Sequence, residues 1–203
     1  DIQRIVDGKA AEGKIPMANR LHAAIRAFTN WSYSRGHIES DPGASVQKAG
    51  REESRKRTPT IEEVKEIWHA SYNCGSLWGP FFRMCILTGQ RSRNEVLRMK
   101  WTWVNHSKQR LEIPTTKNRE PHIVHLADAA LKELEAIRQD QDRQNLVTSF
   151  VFTTTGKTPS SGVSKAKKML DDEIVKIRAE RGNTEEMEPW VLHDLRRAQA
   201  TAL

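Results

Sequence analysis

Apolar residues recur at three- and four-residue intervals along most of this chain and at two-residue intervals in one short region. From 17 to 33, Met17, Leu21, Ala24, Ile25, Phe28 and Trp31 mark one face of a helix, followed by Gly36 and an Asp41-Pro42-Gly43 turn. Val64, Ile67 and Trp68 form the stripe of another helix. Its start is written in Thr60-Ile61-Glu62-Glu63, a hydroxyl three residues ahead of a carboxylate, which is a capping box. Gly79-Pro80 is expected to break the chain before a helix from Phe81 to Leu87, and a further helix is expected over Arg91 to Lys100, just after Gly89. Beyond Trp101 the period changes. Leu111 and Ile113 alternate, Thr115 to Glu120 is polar, and Ile123, Val124 and Leu126 follow, which reads as an antiparallel hairpin with Lys117 at or near its tip. Helices resume over Asp128 to Ile137 and Val163 to Ile177, separated by a short extended Phe150-Val151-Phe152. Gly182-Asn183 ends the long helix, and Pro189-Trp190 leads into a last one around His193. The fold class is therefore mainly α with a small antiparallel β-hairpin, an α+β arrangement.

The same pattern divides the chain. Residues 1–47 hold one good helix and a short segment, Ile2 to Ala11, too little to close a core alone, so this module reads as incomplete. Lys48 to Arg57 carries five basic residues and two Glu, and residues 48–58 read as an exposed linker. A larger domain spans 59–203.

Charge narrows the function. The net charge is +7, and the segment from Arg83 to Glu120 holds nine Lys/Arg against three Glu, a net +6. A basic concentration favours a polyanionic partner through counterion release; a solvated basic face is the plain alternative. No apolar run approaches the ~20 residues of a membrane span. Two cysteines, Cys74 and Cys85, suit neither a disulfide framework nor a zinc site, and Cys85 sits in an apolar run as a core thiol, so a reducing cytosolic setting follows. The seven histidines show no zinc spacing, no phosphate-binding glycine loop is present, and most tryptophans lie in apolar patterns.

Two short segments carry candidate chemistry. In Leu192-His193-Asp194-Leu195-Arg196-Arg197, His193 and Arg196 share a helical face, pairing a proton donor with a guanidinium fork that matches phosphate oxygens. Thr88-Gly89-Gln90-Arg91 is a turn before a helix, able to present backbone donors and a cation to an anion. Either alone can be an ordinary helix end with a solvated arginine, and Lys117 an edge-protecting lysine.

Taken in order, Leu87-Thr88-Gly89-Gln90-Arg91…Glu95-Val96-Leu97…Trp101, then Ile113-Pro114…Thr116-Lys117-Asn118…Pro121-His122-Ile123-Val124…Leu126, then Leu192-His193-Asp194-Leu195-Arg196-Arg197, resemble the catalytic domain of phage-type integrases, the tyrosine recombinases. The resemblance covers roughly 60–203, and 18–46 resembles the end of the family's helical core-binding domain. It implies site-specific DNA recombination and integration by phosphoryl transfer with no metal or other cofactor. Arg91 and Arg196 would clamp the scissile phosphate, His193 would assist in proton transfer, Lys117 would protonate the departing 5′ oxygen, and Glu95 would support the arginines. Arg51, Arg55, Lys56, Arg57 and Arg119 are the candidate DNA contacts. Double-stranded DNA is the implied partner, with self-association of the full-length protein on it, in the cytoplasm, bacterial or phage-encoded and associated with the nucleoid.

The chain departs from the family pattern in two places. The acidic residue stands four positions after Arg91 rather than three, which makes Arg93 a rival for the first arginine. The family's nucleophilic Tyr follows the second arginine, whereas here the only tyrosines are Tyr33 and Tyr72 and the sequence runs seven residues past Arg196. The expectation is a catalytic domain truncated before its nucleophile, binding DNA without cleaving it unaided. A catalytically silent DNA-binding protein on the same scaffold, or a basic protein-interaction module, are the alternatives.

Overall fold

The computed structural model describes residues 2–53, 56–116, 118–183 and 185–202. They form two compact units, Asp1–Lys56 and Arg57–Leu203.

The first unit pairs helices α1 (Ile2–Ala11) and α2 (Ile15–Ser34), linked through Gly13 in the left-handed region. Its core is small: Val6, Ala18 and Val46 are buried, with Ile2, Ala10, Ile25 and Ala49 packed on them. The buried face of α2 is not the one the apolar pattern predicts. Ala18, Asn19, His22, Thr29 and Ser32 turn inward, while Phe28 and Trp31 are 65% and 50% exposed. The reason lies in the returning segment, whose backbone needs partners. His22 Nε2 is 2.9 Å from the Val46 carbonyl, Asn19 Oδ1 accepts from the Ala49 amide, and Asn19 Nδ2 donates to the Gly50 carbonyl. Polar side chains thus face in, and the first half of the expected linker is bonded to α2.

The second unit is built around α4 (Gly75–Thr88), which packs against α3 (Ile61–Ser71), α5 (Asp128–Arg143) and α7 (Leu192–Ala202). Helix α6 (Val163–Glu180) packs on α3. The capping box forms: Thr60 Oγ1 accepts from the Glu63 amide at 3.2 Å and Glu63 Oε2 from the Thr60 amide at 2.7 Å. Helix α4 begins earlier than expected and runs through Gly79-Pro80. An interior proline costs about 3 kcal/mol. Here it lies in the second turn, and burial of Phe81, Phe82, Met84 and Cys85 beyond it outweighs the lost bond. Gly79 is needed for a different reason, since a Cβ there would lie 2.5 Å from the Ser71 carbonyl oxygen.

That close approach lets Arg83 tie three helices together. Its Nε and Nη2 donate to Glu133 at 2.6 and 2.9 Å, Nη1 donates to Ser71 Oγ, and the guanidinium lies 4.3 Å from the Tyr72 ring centroid.

The hairpin forms with one more strand than expected. β1 (Val104–Asn105), β2 (Arg110–Ile113) and β3 (His122–His125) make an antiparallel sheet in that order, with Leu111 opposite Val124 and Ile113 opposite His122. Leu111 and Ile113 point into the core, and Phe150 bridges back to Lys100. Lys117 lies outside the described residues, as does Arg55. Among the described residues no helix is long and apolar enough to cross a membrane.

Candidate active site

The turn after α4 sets the site. Gly89 adopts φ +58°, a left-handed cap that only glycine takes cheaply, and a Cβ there would overlap the Gln199 side chain of α7. The long helix expected over 91–100 does not follow. One π-type turn, Ser92–Val96, stands there, its backbone bonds running from the Val96 amide to the Arg91 carbonyl and from the Leu97 amide to the Ser92 carbonyl. A π turn holds one more residue than an α turn. That widening brings Glu95 back onto Arg91 although four positions separate them: Arg91 Nη1 donates to Glu95 Oε1 at 2.5 Å, and the Arg91 amide donates to Oε2 at 2.7 Å.

Arg196 arrives from α7. Its Nη1 donates to the Gly89 carbonyl at 2.8 Å and stands 3.8 Å from Glu95 Oε2. One carboxylate, 3% exposed, therefore lies against two guanidinium groups that remain 29% and 35% exposed. Two cations are held side by side with donors still open to solvent.

His193 is exposed on the first turn of α7, and with Arg91, Ser92, Arg93, Ser164 and Trp190 it lines a groove of about 490 Å³. The rest of α7 is anchored from inside. Asp194, fully buried, accepts from the Val191 amide at 2.9 Å and from Arg197 at 3.3 Å, and Gln199 donates to the Leu87 carbonyl. Arg93, on the same groove, is paired differently, donating to Ser164 Oγ at 3.2 Å at the start of α6. So Arg91, Glu95, Arg196 and His193 share one region, and Arg93 borders it.

The outlying candidates differ among themselves. Arg51, Lys56 and Arg119 are exposed. Arg57 is not available as a surface contact: its side chain is 7% exposed, with Nη2 donating to Glu63 at 2.6 Å, Nη1 to the Thr58 carbonyl, and Nε 3.2 Å from Glu188. Burial pushes the Glu63 carboxyl up, but the hydrogen bonds from Arg57 and Thr60 outweigh it and hold it below the ordinary range. The Arg57–Glu63 pair locks the start of α3 instead.

Sequence reasoning missed Lys167, which also lines the groove, with its ammonium 3.8 Å from the Trp190 ring centroid and ion-paired to Asp171. Nothing in its spacing marked it. Asp194 did carry a signal, since a carboxylate three residues into a helix is a capping position. Among the described residues no three His, Cys, Asp or Glu side chains gather as a metal would require.

Known proteins share this fold. The chain resembles in fold a lambda integrase (residues 75–356) dimer bound to a COC' core site, at 20% identity, TM-score 0.68, over 98% of this chain and 71% of that one. The Tn1549 transposon integrase in complex with circular intermediate DNA matches at 12% identity and TM-score 0.67, over 100% of this chain and 71% of that one. XerA recombinase matches at 16% and 0.56, over 100% and 67%. Against a longer lambda integrase chain, also a dimer on a COC' core site, the chain spans 55% of the length. No curated protein matches significantly. The Phage integrase family model matches residues 58–203, the whole of the larger unit but its first residue, and the chain belongs to that family, the tyrosine recombinases.

Proposed function

We infer that this chain serves site-specific DNA recombination, and that the groove beside Glu95 is where a scissile phosphate is activated. The observation that carries the reading is the single buried carboxylate holding Arg91 and Arg196 together with their outer edges free. Attack on a phosphodiester gathers negative charge on the nonbridging oxygens, and two preoriented guanidinium forks stabilise that charge more than the ground state. Glu95 positions the forks without touching DNA, since its oxygens are spent on Arg91 and Arg196. His193, on the same side, is placed to donate to a phosphate oxygen. Arg91 rather than Arg93 is the first arginine, because the π turn returns Glu95 to Arg91 while Arg93 leans on Ser164. Lys117, outside the described residues, keeps the role the resemblance gives it, protonating the 5′ oxygen that would depart when a tyrosine oxygen, which this sequence does not supply at the family's position, attacked the phosphorus.

The first unit is read as the end of a core-binding domain over 1–47, with 48–58 leading into the catalytic domain at 59. Double-stranded DNA is the substrate, and self-association on it follows from the complexes formed by the similar integrases. The setting is the cytoplasm where bacterial or phage DNA lies. Duplex binding measured by fluorescence anisotropy tests the reading. The wild-type chain should bind at low salt with an affinity that falls steeply as salt rises, and Arg91→Ala with Arg196→Ala should weaken it. Absence of binding at low salt, or equal binding by the double variant, overturns it.

A further inference from the structure

A second hollow adjoins the groove, sharing Arg93, Asn94 and Val163 with it. It has a volume of about 740 Å³ and is lined by three cations, Arg93, Arg98 and Lys100, together with Ser160, Ser161 and Gly162; no carboxylate is among its lining residues. None of the three cations forms a salt bridge among the described residues. The hollow ends at the start of α6, an 18-residue helix whose N-cap is Gly162, with φ +95° and no side chain to satisfy the first-turn amides. Those amides of Val163, Ser164 and Lys165 carry the positive end of the helix dipole toward solvent, a geometry that favours an anion.

A separate observation points to a ligand. Ser160 is 7% exposed, its amide is fixed by donation to the Phe152 carbonyl at 2.9 Å, and its hydroxyl is buried in the wall of the hollow without a hydrogen-bond partner. A buried hydroxyl left unpaired costs about 1–3 kcal/mol, so a hollow whose wall holds one together with three cations and a free helix start is suited to an acceptor-rich group. The π turn Ser92–Val96 carries Arg93, which lines both hollows, and starts from Arg91, which lines only the first.

We propose that this hollow binds a DNA backbone phosphate neighbouring the one activated between Arg91 and Arg196, using Arg98, Lys100, the Ser160 hydroxyl and the first amides of α6. The proposal rests on the recombinase reading and extends its contact surface; the site positions the strand and does no chemistry. The test is 15N amide NMR and anisotropy on the whole chain, with inorganic phosphate and a random-sequence duplex as probes, comparing wild type with Arg98→Gln plus Lys100→Gln. The amides of Val163 to Lys165 should shift with both probes in the wild type and with neither in the variant. Duplex affinity of the variant should fall about tenfold near 0.1 M salt, and its salt slope should drop by roughly two. A shift with phosphate and none with duplex overturns the backbone assignment, as does a variant that binds duplex like the wild type. No shift with either probe overturns the site while leaving DNA binding through Arg91 and Arg196 intact. Ser160→Ala, a smaller change, should weaken phosphate binding two- to fivefold, about the value of one neutral hydrogen bond.

Discussion

Two arginine–glutamate junctions sit in the same unit and do different things. At the first, Arg83 gives Nε and Nη2 to Glu133 and Nη1 to Ser71, and its face covers Tyr72; the pair is 8% and 14% exposed. Each of the three nitrogens donates and the side chain is almost fully buried, so the junction is a fastener between helices α3, α4 and α5. At the second, Glu95 is more deeply buried than Glu133, yet Arg91 and Arg196 keep about a third of their side chains open. What separates the two junctions is whether the guanidinium groups have donors left over once the fold has taken its share.

That contrast can be broken most forcefully at the closed junction. Arg83→Met should cost about 3–5 kcal/mol in urea unfolding, because Glu133 is left buried without a partner, while Arg83→Met with Glu133→Leu should recover most of it. The corresponding pair at the open junction, Arg91→Met with Glu95→Leu, should also keep the fold but lose duplex affinity. If duplex binding survived, the open junction would be structural after all. Gly89→Ala comes next, at about 1–2 kcal/mol, from the left-handed cap and the displaced Gln199; duplex affinity should fall with it, because Arg196 hangs on the Gly89 carbonyl.

Arg91→Gln should cost only about 1 kcal/mol, since Glu95 retains the Arg91 amide at 2.7 Å. Its duplex affinity should nonetheless drop severalfold, a stability–binding split absent at Arg83.

Titration offers the mildest contrast. Glu63 is held below its ordinary value in the fold, so the stability it contributes is full above the unfolded carboxylate range and is lost as pH falls through the folded value. Glu63→Gln should therefore flatten the stability profile below about pH 4, and an unchanged profile would remove Arg57 from the lock. Burial pushes Cys74 up to about 11 and Cys85 higher still, so both thiols should resist iodoacetamide at pH 7.5 in the wild type. Labelling of Cys74 should slow further in Arg83→Met, because the nearby guanidinium favours the thiolate, and stay as in the wild type in Arg91→Gln.

Much of this was legible in the chain. The capping box at Thr60, the α6 stripe and the Leu111/Ile113 alternation are local patterns, and local patterns survive folding. Arg91, Glu95, His193 and Arg196 were proposed from order and residue type; in the structure Arg91 and Arg196 meet at Glu95, and His193 lines one groove with Arg91. The exceptions were places where something distant decided. Phe28 and Trp31 face outward because the backbone from Val46 to Gly50 asked α2 for polar partners. Helix α4 runs through Pro80 because Phe81, Phe82, Met84 and Cys85 beyond it are buried in the core. Arg57 looked like one basic residue in a run of five, and only Glu63 and Glu188 show it to be an anchor. The 91–100 region failed as a helix because its periodicity could not reveal a π turn, the very distortion that reconciles the extra residue before Glu95.

The bond from Arg196 to the Gly89 carbonyl closes across 107 residues. Every other described element of the larger unit precedes α7 in the chain and is therefore synthesised before it. During translation Arg91 and Glu95 leave the ribosome early, paired with each other, but the second cation joins them only when α7 emerges and docks beside Gly89. Long-range closure of this kind is a late folding step. A nascent chain that has not yet released α7 thus holds Arg91 and Glu95 without Arg196, and the pairing of two cations on one carboxylate is complete only once that helix docks.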